Sequence, residues 1–138
     1  MAMTMHVDIV SAEQEIFSGV AEMLVAPTIS GEVGILPRHN QLIATLKPGE
    51  VRVKVPGEAE PLSIYVSGGI LEVQPHVVTV LSDTALRAKD LDEAAVLRAK
   101  KEAEDALHDH KSAIDMAKAR ALLAESMAQL EMIRKRSK

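Results

Sequence analysis

The run LSIYVSGGILEVQP, residues 62–75, sets the reading of the first half of the chain. Leu62, Ile64 and Val66 alternate with Ser63, Tyr65 and Ser67, which is the two-residue period of a strand with one buried face. Gly68 and Gly69 separate this run from a second strand-like run that Gln74 and Pro75 close. The two glycines therefore mark a bulge or a bend from one sheet to another. Upstream, EVRVKV (50–55) alternates Val51, Val53 and Val55 with charged residues, and MTMHVDIV (3–10) places Met3, Met5, Val7 and Ile9 on one face. Turn signals at KPGE (47–50) and VPGEAEP (55–61) interrupt these runs. Many short strands at such spacing predict an antiparallel sandwich or barrel reaching to about Asp83.

From Ala85 the pattern changes. Thirteen alanines fall in residues 85–138 against six in residues 1–84, and glycine and proline do not recur. Asp90, with Glu93 three residues later, makes a capping-box arrangement that opens a helix running to about Leu107. HDHKS (108–112) breaks the pattern, and Ser112 with Asp115 starts a second helix that ends near the basic tail RKRSK. Cations at that end complement the helix dipole. A connection this short predicts an antiparallel helical hairpin. The expected division is a sandwich over 1–84, a linker over 85–89 and a two-helix hairpin over 90–138.

Ala117, Ala121, Ala124 and Ala128 follow the spacing of one helical seam, and Ala95, Ala99, Ala103 and Ala106 form a matching edge on the first helix. Each buried alanine forgoes roughly 2 kcal/mol relative to leucine, at ~0.8 kcal/mol per methylene. Such a seam would be well shaped and weakly held, while alanine's helix propensity preserves the helices when they separate. A bulkier stripe, Met116, Leu123, Met127 and Leu130, lies beside it. The pattern fits both a mobile hairpin and an ordinary fixed core.

Composition narrows the function. In a chain of 138 residues with 47% apolar content, Phe17 and Tyr65 are the only aromatics and cysteine is absent. Disulfides and thiolate chemistry are thereby excluded. Residues 1–84 carry four Lys/Arg against ten Asp/Glu, and residues 85–138 carry twelve against ten. An acidic first half with scarce aromatics argues against nucleic acid. The start lacks a basic leader, and nothing approaches the ~20 apolar residues that cross a bilayer, so a soluble intracellular protein without direct membrane insertion is expected. GEVG (31–34) is no phosphate-binding loop, and neither a nucleophile elbow nor an interpretable carboxylate pair is present. No independent catalysis is expected. His108 and His110 could in principle share a metal, but no further ligands surround them, so neither metal nor cofactor is predicted.

SAEQEIFSG (11–19), GEVGILPRH (31–39), YVSGGILEVQPHVVTVLSDTA (65–85) and DLDEA (90–94) occur in the order seen in the epsilon subunit of bacterial F-type ATP synthases, which this chain closely resembles over nearly its whole length. The resemblance implies a β-sandwich of about ten antiparallel strands followed by a C-terminal α-helical hairpin. It implies a rotor subunit of the central stalk that couples proton translocation to ATP synthesis. Gamma and the c-ring would be its partners, and it would be held peripherally at the cytoplasmic face of the bacterial inner membrane. Beta and alpha would join them when the hairpin extends to restrain ATP hydrolysis. It further implies that Glu32 faces the polar loops of the c-ring, where its carboxylate can meet a basic loop residue, and that His39 lies near the same surface. His108, Asp109, His110, Lys111, Lys118, Arg120, Arg134, Lys135 and Arg136 are the candidates for contact with the beta subunit.

Two departures stand out. The family often has Gly-His-Ala-Pro where this chain has RHNQ (38–41). Some relatives bind ATP through an Ile/Leu-Asp-x-x-Arg-Ala motif. Here Leu91 and Asp92 are kept, but Ala95 stands for the arginine and Val96 for the alanine. Loss of the guanidinium removes a bidentate phosphate contact, which predicts weak or absent ATP binding. The rival reading is a free-standing β-sandwich binding module, or small-molecule sensor, with a helical lid.

Overall fold

The computed structural model describes residues 3–109 and 113–136. They form two compact units, Met1–Arg87 and Ala88–Lys138. The first holds ten strands: Met5–Ser11 (β1), Glu15–Ala21 (β2), Met23–Thr28 (β3), Gly31–Ile35 (β4), Leu42–Leu46 (β5), Gly49–Lys54 (β6), Leu62–Val66 (β7), Gly69–Val73 (β8), Val77–Ser82 (β9) and Ala85–Arg87 (β10). Bonded neighbours run β10-β7-β6-β3-β5-β8-β9-β1-β2, with β4 paired to β3. β3 meets β5 only at Thr28↔Leu46, and the sheet folds there into the two layers of a sandwich. All pairs are antiparallel except β1 with β9, where Ile9 lies beside Val80 in parallel register.

The alternating runs fill the space between the layers. Val7, Ile9, Val51, Val53, Ile64, Val66, Leu71, Val73, Val78 and Val80 are all buried in one cluster. Each such side chain contributes about 1.5–3 kcal/mol relative to exposure. Met3 departs from the expected stripe: it precedes β1 and stays exposed, because no neighbouring strand covers it.

Gly68 and Gly69 form the bend anticipated between sheets. β7 lies in one layer and β8 in the other, and both glycines adopt φ near +120° (118° and 122°). The corner is pinned to the neighbouring one at 82–84. Thr84 N donates to Ser67 Oγ at 3.0 Å, and Ser67 N donates to Thr84 O at 3.0 Å. Ser82 Oγ donates to Thr84 O at 2.9 Å.

The stretch expected to be a linker, 85–89, is not one. Ala85–Arg87 pairs with β7, Ala85 opposite Val66, and Arg87 Nη2 donates to Ile16 O at 3.0 Å. A non-local sheet edge thus recruits residues whose composition reads as helical. A 3₁₀ turn follows at Ala88–Asp90. Because Asp90 is used in that turn, it does not cap the helix. Asp92 does, with its Oδ1 accepting from Ala94 N at 3.0 Å.

The second unit is the helix pair Glu93–His108 (α1) and Ala113–Arg136 (α2), packed side by side. α1 buries Val96 and Ala103, and α2 buries Ala119, Ser126, Leu130 and Met132. The alanine seam is therefore corrected. Of its eight members only Ala103 is buried; Ala99, Ala106 and Ala128 are half-buried, while Ala95, Ala117, Ala121 and Ala124 are exposed. α2 instead turns inward the stripe Ala119–Leu123–Ser126–Leu130, since burying leucine contributes more than burying a methyl. Met127 of the expected bulky stripe remains exposed.

Candidate interaction surfaces

The β3–β4 hairpin carries the acid singled out in the sequence. Thr28 fixes its tip: Oγ1 donates to Gly31 O at 2.6 Å and accepts from Ser30 N at 3.2 Å. Glu32 follows on β4, opposite Pro27 of β3, and its side chain is 56% exposed. From β6 the Arg52 guanidinium reaches two carboxylates, Glu32 Oε1 through Nη2 and Glu50 Oε1 through Nη1, each at 3.1 Å. Glu50, only 14% exposed, also accepts from Ser63 Oγ on β7. Partial burial pulls the Arg52 pKa down, but its bonds and attraction to Glu50 and Glu32 outweigh this and raise it overall. Sequence reading placed Glu32 here and missed Arg52, whose partner is twenty positions away and only adjacent across the sheet.

His39 is half-buried in the loop after β4. Its Nδ1 donates to Asn40 O at 2.7 Å, and its backbone N donates to Leu36 O at 3.2 Å, so the ring is a turn element. Arg38 beside it adopts φ = 66° and donates its N–H to Pro75 O at 2.9 Å. This arginine thus takes the left-handed conformation that glycine adopts without strain.

On the other layer, cross-strand register lines up Thr45, Ile70, Leu81 and Val10 on the outer face. Ile70 and Leu81 are 48% and 46% exposed, and Ile43 on β5 is 76% exposed. An apolar row on a solvent face is the mark of a docking surface. Its sequence signal was apolar residues on both phases of the alternation, as in GILEV and VVTVLS. Farther along the same face, Asp8 Oδ1 accepts from Ser18 Oγ at 2.6 Å and lies 2.8 Å from His6 Nε2. The Ser18 hydroxyl is the main cause of a lowered Asp8 pKa; burial opposes it and His6 adds to it.

In the helical unit Leu91 is half-buried and Asp92 exposed, with the Asp92 carboxylate occupied by the helix cap. Ala95, in the position of the missing arginine, is exposed. His108, Asp109, Lys118, Arg120, Arg134, Lys135 and Arg136 are all exposed, and the last three end α2. His110 and Lys111 lie outside the described residues. Among the described residues no three His, Asp or Glu side chains converge as metal ligands. No helix among them is long and apolar enough to cross a membrane.

Comparison with known proteins covers both units. Residues 4–88 match the beta-sandwich domain of the ATP synthase delta/epsilon chain, and residues 89–134 match its long alpha-helix domain. The ATP synthase epsilon chain of Thioalkalivibrio sulfidiphilus is 66% identical over 135 residues, covering 98% of this chain and 96% of that one. The epsilon chain of Nitrosococcus oceani is 64% identical with the same coverage. In fold, a chain of the Euglena gracilis mitochondrial ATP synthase structure (OSCP/F1/c-ring) superposes with a TM-score of 0.81. It is 21% identical, over 93% of this chain and 79% of that one. A chain from the central stalk/c-ring structure of the Tetrahymena thermophila enzyme gives 0.66 at 13% identity, over 95% and 97%. Two domain matches in unbroken succession, with two-thirds identity across nearly the full length, leave one conclusion: the chain belongs to the ATP synthase delta/epsilon family, among the epsilon chains of the bacterial F-type enzyme.

Proposed function

We propose that this chain is a rotor part of the central stalk, seated between gamma and the c-ring, and that its helices restrain ATP hydrolysis. The single observation that carries the reading is the succession of both family domains over residues 4–134. The apolar row around Ile70 and Leu81 is the face offered to gamma, and the Glu32 end, with His39, is the face offered to the ring. Lodged there, the protein is peripheral to the inner membrane on its cytoplasmic side.

The helical unit suits a conformational inhibitor. α1 contributes only Val96 and Ala103 to fully buried positions, an apolar gain of about 2–3 kcal/mol. The exposed cations Lys118, Arg120, Arg134, Lys135 and Arg136, with the 108–111 connection, are what an extended hairpin would offer to carboxylates of the beta subunit. Exposed ion pairs contribute ~0–1 kcal/mol each, so they act as a set. ATP is not expected to drive the change. Asp92 is engaged in capping and Ala95 supplies no guanidinium, so titration calorimetry should find no micromolar affinity.

Two experiments test this reading. Co-purification should bring the chain down with gamma near one-to-one; a small-molecule sensor would be found mostly alone. Truncation after Arg87 should leave assembly intact and change ATP hydrolysis by the complex. Hydrolysis that stays the same under all conditions would reduce the helices to a structural appendage.

A further inference from the structure

We infer that Arg52 is a positioning residue for ring docking: anchored on Glu50, it holds Glu32 in place to meet the partner cation. The inference rests on the reading of Glu32 as the ring-facing acid. Glu32 extends from β4 into solvent, and an isolated glutamate there would spread over many rotamers. Arg52 prevents this with two different nitrogens. Nη1 is anchored on Glu50, itself mostly buried and bonded to Ser63, while Nη2 is turned to Glu32 Oε1 at 3.1 Å. The planar guanidinium transmits the inner anchor to the outer contact, which a lysine ammonium, lacking a fixed fork, does not do.

Only Oε1 of Glu32 is engaged by the fork, which leaves Oε2 to accept from an incoming donor. Two carboxylates and one guanidinium leave the trio with a net negative charge, so a cationic side chain is still attracted to it. Arg52 therefore aims the acid without neutralising the site. Lys54, also on β6, is paired instead with Glu22 at 3.6 Å and takes no part in the trio.

The test is docking of the full-length chain, in complex with gamma, onto detergent-solubilised c-ring, followed against salt. Glu32→Gln should weaken docking about ten-fold and flatten its salt dependence. Arg52→Met should weaken it by a similar factor with the salt dependence retained, and Arg52→Lys by about three-fold. Adding Arg52→Met to Glu32→Gln should cost nothing more, because Arg52 acts only through Glu32. Lys54→Met, the same charge change on the same strand, should leave docking unchanged. Thermal unfolding of each variant separates lost docking from lost folding, and Arg52→Lys keeps the test open if the methionine variant is unstable. If Arg52→Met is harmless while Glu32→Gln is not, or if Arg52→Met weakens docking equally in both backgrounds, positioning is refuted and the ring contact of Glu32 stands. If Glu32→Gln has no effect, the ring-facing reading fails and takes the inference with it.

Discussion

The backbone of Gly69 passes so close to Leu81 that a Cβ built on the glycine would sit 1.9 Å from the Leu81 carbonyl oxygen. This contact joins β8 to β9 at the corner where the chain changes layers. Gly69→Ala must relieve that overlap by moving backbone, and φ = 122° is strained for any side chain besides. Its cost should be about 3 kcal/mol or more. Gly31 has a similar φ and open space around its missing Cβ. Gly31→Ala should therefore carry only the conformational strain, on the order of 1–2 kcal/mol. Denaturant titration of the two variants should rank them in that order; equal losses would mean that the Leu81 contact contributes nothing.

Arg38 gives the opposite prediction. A left-handed residue with a Cβ costs about 1–2 kcal/mol, and glycine forfeits roughly half of that again through unfolded-state entropy. Arg38→Gly should raise stability by about 0.5–1 kcal/mol, seen as a higher unfolding midpoint at an unchanged denaturant slope. A lower midpoint would show that the arginine side chain earns its place by contacts that outweigh its backbone strain.

Asp8 makes the sandwich sensitive to acid. Its carboxyl is held below its usual 3.8 in the folded protein. The stability it contributes is present above that value and is lost as pH falls through the lower, folded one. Thermal midpoints measured from about pH 5 downwards should fall less steeply in Ser18→Ala, which lacks the hydroxyl chiefly responsible. The two proteins should run parallel between about pH 5 and 7, where the carboxylate is ionised in both states. Identical acid slopes would remove Asp8 from the explanation.

The corrected helix faces are testable with one pair of changes. Ala103 is 1% exposed, whereas Ala121 is exposed. Ala103→Leu forces extra carbons into packed space and should cost about 1–3 kcal/mol. Ala121→Leu should lie within about 0.5 kcal/mol of the parent. Helical circular dichroism during urea unfolding reads both, and a large penalty at Ala121 would restore the alanine seam.

Strand periodicity made the sandwich legible because Val51, Val53, Ile64 and Val66 all fall on the buried phase; Tyr65, on the other phase of β7, is buried as well, so that strand does not have the single buried face that its alternation implied. β10 was not legible, since Ala85–Arg87 becomes a strand only by pairing with β7, a partner that local composition does not reveal. The α2 seam misled for another reason. An alanine-rich helix offers several stripes of equal spacing, and the choice falls to the bulk of Leu123 and Leu130, which pattern counting ignores. Glu32 was reached through resemblance alone, and Arg52 through neither route, because its role exists only once β4 and β6 lie on the two edges of β3 and β7 lies beyond β6.

The parallel pairing of Ile9 with Val80 sets an order of events on the ribosome. β1 can form a hairpin with β2 as soon as both emerge, yet its other edge waits until nearly the whole sandwich has been synthesised. Closure therefore falls late, at high contact order, and should be the slow step. The helices emerge after it, once the sandwich has acquired its β9 and β10 pairings.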